Sequence, residues 1–448
     1  MNDPVDLLAL DRDVRRAHER VFGMRATLDT AEGRLRARSF DPFEDLRRVA
    51  GRTTFFALRE RAPSAHDAPL RDALVRWTYE LLQARIDQDL AIDDADAVHE
   101  GLETYFKAWR AILTSDTLTR AALALERAGE LSTRVSGVRN ERRARRWEIA
   151  RRLGLTHPSA LATARLPSDL SGFARSLLDR TDLLAADVLK QARRRADIGS
   201  SAPSAAFAMR LALARDAGMG WPAHLGARWL SEAFRALHTH PIDLRTVPKL
   251  PLPLGAASFL RAACAWGFAV RTSAPPRSLP FALSRDPYPA SAHRFGFAFA
   301  SAVADPVFQR KVLGLPARVA ASQARSLTIS MLLFARTLAA RWLLSVSERT
   351  DCATFDELGE RVFGAPLPPS LHGAWPKDRI DEPSRLFALL GTLSFVRDLR
   401  NRFDEDWFFN PRAGTHLMSL ACAPAWDDEP IAENVPARLA QGFEEALG

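Results

Sequence analysis

Apolar positions along this chain recur at helical spacing almost throughout. Leu170, Phe173, Leu177, Leu178, Leu184 and Val188 trace one stripe of a helix. Ser168-Asp169, just ahead, offers side-chain oxygens suited to an N-cap. The stretch 317–346 behaves likewise, with Arg318, Arg325 and Arg336 on a polar face. No run alternates with the two-residue period of a strand, and only nine residues are Ile. Breakers separate the helices: His157-Pro158, Leu166-Pro167, a linker at 199–203, and Pro-rich loops over 240–255, 273–289 and 364–383. No internal repeat or low-complexity tract is present. The pattern predicts a large all-α fold with little or no β, roughly 18 helices at a mean of about 12 residues.

Composition narrows the picture. The chain has 448 residues, a length that suits about three domains or one large fold. With 47% hydrophobic residues it can bury a sizeable core, which excludes intrinsic disorder as a class. Segments 254–270 and 327–346 approach membrane-like apolarity. The first carries Arg261 and the second Arg336 and Arg341, so both read as buried core helices and no membrane partner is expected. Asp3, Asp6, Asp11 and Asp13 make the N-terminus unlike a signal peptide. Cys264, Cys352 and Cys422 are far apart and odd in number, which points to a reducing, cytoplasmic setting.

The formal net charge is +8, and nearly all the basic residues are Arg. Runs at 139–152 and 193–195 could neutralise phosphates. Glu141 and Glu148 interrupt the first run, and Trp147, Ile149 and Leu153 give it an apolar face. A solvated helix face is therefore the first reading, and nucleic-acid binding the second.

Catalytic motifs are scarce. At the His-Glu dipeptide His99-Glu100, Glu103 stands where a zinc helix would place its second His. That segment reads as an exposed polar face. His238 and His240 alternate but have no third ligand nearby, and His224 lies at a helix start. No Gly-rich nucleotide loop, nucleophile elbow or Cys–His context appears, so no cofactor is expected.

The C-terminal two thirds nonetheless resembles a known family. The passage 400–414, Arg-Asn-Arg-Phe-Asp-Glu-Asp-Trp-Phe-Phe-Asn-Pro-Arg-Ala-Gly, is similar to a segment near the end of helical zinc metallopeptidases of the oligoendopeptidase and thimet-oligopeptidase type. Arg285-Asp286-Pro287, the Phe-rich run 295–299, Asp305-Pro306 and Leu313-Gly314-Leu315 resemble the region after that family's zinc motif. The stretches 142–154 and 177–182 look like its preceding helices. The resemblance implies an N-terminal helical region at 1–140 and a degenerate metallopeptidase-like helical domain at 141–448, with two lobes around a cleft.

Counted back from the Phe-rich run, the family's His-Glu-x-x-His falls on Arg261-Ala262-Ala263-Cys264-Ala265, and its third ligand, a Glu, falls near His293. In that register both imidazoles and the general base are missing. The family's late Tyr is missing too, since the last tyrosine here is Tyr288. The resemblance thus implies no catalytic residue and no bound metal. It implies a pseudo-peptidase that holds a peptide or protein partner, or, as the alternatives, a nucleic-acid binder or a hydrolase with another site. Arg261 is expected on the cleft wall, reaching water or paired with Asp286.

Overall fold

Polar caps and apolar stripes define the elements much as the pattern requires. Asp169 accepts a hydrogen bond from Gly172 N at 2.8 Å and opens the helix Leu170–Arg195, while Ser168 lies outside the described residues. The structure, a computed structural model, describes residues 6–60, 64–164, 166, 169–196, 204–215, 217–239, 241, 250, 254–348, 351–376, 380–424 and 434–447. Twenty α-helices and no strand occur among them, so the fold is all-α. The linker at 199–203 and most of the loop 240–255 fall outside them.

The segments that carry the family resemblance turn out to be caps and packing. Asp305 accepts from Val307 N at 2.7 Å to start Pro306–Leu313, and its other oxygen accepts from Arg400 at 2.7 Å. Gly314 ends that helix at φ 67°, a conformation glycine adopts without steric cost. Asn410 caps Pro411–Cys422, and Trp407 and Phe408 are buried beneath it.

The Arg-rich run lies on the helix Leu118–Arg152, which passes through position 140 without a break. Much of its charge is met by carboxylates of the neighbouring helix Gln88–His99 and its entry. Asp87 accepts from Arg142 Nε and Arg146 Nε at 2.7 Å each, Arg139 reaches Asp94 at 2.8 Å, and Arg145 reaches Asp89 at 2.8 Å. Burial alone would raise the Asp87 pKa, but Arg146, Arg142 and Arg25 hold it below the usual carboxylate range. This seam joins two helices. It is not a bare cationic surface.

Three large apolar cores result. One gathers N-terminal residues between Leu7 and Ala84 with Ile149, Ala282 and Tyr288; the other two share Cys264 and Met331 at their borders. Ala317–Ser345 is long and apolar enough to cross a membrane, yet 67% of its most apolar window is buried against other helices.

Two helices carry the positions to which the family's zinc site maps, Ala257–Ser273 and Ala290–Ala304. The connection between them is clamped by the N-terminal region. Asp11 accepts from Phe281 N at 2.8 Å and Ala282 N at 2.7 Å, Trp77 Nε1 donates to Arg285 O at 2.7 Å, and Arg76 pairs with Asp286 at 2.8 Å.

Candidate functional site

The two helices run antiparallel and touch backbone to backbone. A Cβ built at Gly267 would lie 2.7 Å from the Phe295 carbonyl oxygen, and one at Gly296 would lie 2.6 Å from that of Cys264. Only glycine permits so close an approach. Beside this crossing one stripe of Ala257–Ser273 stays accessible: Arg261, Cys264, Ala265, Phe268 and Thr272. Their spacing is that of a single helical face. Ala262, Ala263 and Trp266 turn away into the core.

Arg261 combines two properties. Its side chain is exposed, yet the surrounding protein desolvates the guanidinium and lowers its pKa. No hydrogen bond or ion pair to Arg261 occurs among the described residues. Asp286, the carboxylate expected as its partner, is instead held by Arg76 and by Tyr288 N at 2.9 Å.

His293 lies on the facing helix with 12% of its side chain exposed. Its Nε2 is 3.4 Å from Asp381 Oδ2, and its ring sits 5.0 Å from that of Phe268. Of the four positions singled out in the sequence, Arg261 and Ala265 therefore share the accessible stripe, Ala262 is fully buried, and His293 faces Phe268.

Electrostatics around the crossing disfavour metal chemistry by these side chains. Burial pushes the Cys264 thiol up to about 11, against a small opposing pull from Arg385. Arg385 itself pairs with the buried Glu382 at 2.9 Å. Zinc hydrolysis needs three donors and an open coordination position. Among the described residues no three His, Cys, Asp or Glu side chains converge to hold a metal ion. One thiol and one imidazole fall short of the three donors that zinc needs. Elsewhere, His99 packs on Phe106 while Glu103 pairs with Arg127 at 2.9 Å, His238 ends a short helical turn at φ 51°, and His240 lies outside the described residues.

One group that sequence reading missed is Glu80, on the helix Ala68–Ile86. Burial raises its pKa to about 7, with Arg25 and Arg146 pulling it down and Asp87 and Asp381 pushing it up. The last of these, Asp381, is also the carboxylate beside His293. Nothing in Tyr79-Glu80-Leu81 distinguishes it from an ordinary helical position. Tyr288 is also buried, with its ring 5.3 Å from the Arg76 guanidinium.

The whole fold is similar to a crystal structure assigned to oligoendopeptidase F of Bacillus anthracis str. Ames. The TM-score is 0.57 at 12% identity, covering 93% of this chain and 86% of that one. At that identity the likeness establishes the fold: this chain has an oligoendopeptidase-like helical scaffold. No protein-family model matches the sequence, and no curated protein matches it.

Proposed function

We propose that this protein is a pseudo-peptidase, a peptidase-shaped scaffold that holds a peptide without hydrolysing it. One observation carries the reading: at the helix crossing, the partly accessible positions are Cys264, Ala265 and Phe268, and the Phe268 ring meets His293. A metal triad spanning these helices would need donors at 264, 268 and 293, with a carboxylate at 265. That register lies three residues beyond 261–265. It is favoured because Ala262 is fully buried and because the His293 ring meets Phe268. Only one imidazole of such a set is present, and water activation has no base. The accessible stripe and the oligoendopeptidase-like scaffold support retention of an extended peptide.

Incubation of the full chain with short quenched peptides and added zinc tests this reading. Saturable binding without cleavage is expected. Chelator-sensitive cleavage would overturn the loss of activity, and failure to bind any peptide would overturn the scaffold role. The register has its own check. The variant Cys264→His, Ala265→Glu, Phe268→His should bind zinc near stoichiometrically, while Arg261→His, Ala262→Glu, Ala265→His should not.

A further inference from the structure

We draw no further inference here: the strongest candidate, the side-chain cluster at the start of the helix Glu382–Phe403, where Arg341 lies over the Trp375 ring at 5.3 Å and the buried Glu382 Oε1 and Ser384 Oγ have no hydrogen-bond partner among the described residues, carries nothing, because nothing in the structure shows what these groups would hold.

Discussion

Cys264 shows how far one side chain's environment decides its chemistry. Its thiol packs against Gly296 of the facing helix, and burial pushes its pKa to about 11, so the nucleophilic thiolate is scarce at neutral pH. Cys352 and Cys422 are exposed. Titration with a thiol reagent at pH 7.5 should therefore label two cysteines quickly and the third only after unfolding or at strongly alkaline pH. Rapid labelling of all three in the native protein would show that Cys264 is not desolvated. Little of this is legible in the sequence. The apolar company of Cys264 can be read there, but not which side of its helix faces open space. Arg261, expected in the sequence to reach water or pair with Asp286, is exposed. Motif order misleads about its partner, because Asp286 is claimed by Arg76 from a helix some 210 residues away in the chain.

Elements are where the sequence speaks most clearly, since helices follow from local periodicity and local caps. The stripe through Leu170 and the long apolar stretch near 317 form the helices Leu170–Arg195 and Ala317–Ser345. What local pattern cannot supply is the depth at which two helices pack, and that depth decides which side chains stay accessible beside the crossing. Gly267 and Gly296 set it by letting each backbone press on the other. An alanine at either position forces the pair apart or strains it, so Gly267→Ala and Gly296→Ala should each cost about 1–3 kcal/mol and lower the melting temperature. Gly137 provides the control. It is exposed on Leu118–Arg152 with no atom within 4 Å of a built Cβ, so Gly137→Ala should stabilise by about 0.5–1 kcal/mol. Equal melting temperatures for Gly267→Ala, Gly296→Ala and wild type would refute a tight crossing.

Across the whole molecule, the N-terminal helices bring titrating groups against the connection between the two crossing helices. His18 packs between Trp77 and Phe281, with ring centroids at 4.9 and 5.3 Å, and its pKa falls from 6.5 to about 4 through burial, with Arg285 and Arg25 adding to the effect. Glu80 moves the other way, from 4.5 to about 7, among Arg25, Arg146, Asp87 and Asp381. The signs oppose each other. Between pH 4 and 6.5 the unfolded chain binds more protons at His18 than the folded one, so that group makes stability rise with pH. Between pH 4.5 and 7 the folded chain binds more protons at Glu80, so that group makes stability fall with pH. Each is worth about 3 kcal/mol at the limit, from about 1.4 kcal/mol for every tenfold change in proton affinity, and over the shared window the two largely cancel. Single substitutions should expose what the pair conceals. Relative to wild type, Glu80→Gln should gain stability as pH climbs from 4.5 to 7, and His18→Gln should lose it as pH climbs from 4 to 6.5. The readout is the difference in urea-unfolding free energy between variant and wild type at each pH, which removes the contribution of every other titrating group. Two difference curves with the same sign of slope, or two flat ones, would mean that these groups are not held in opposed environments.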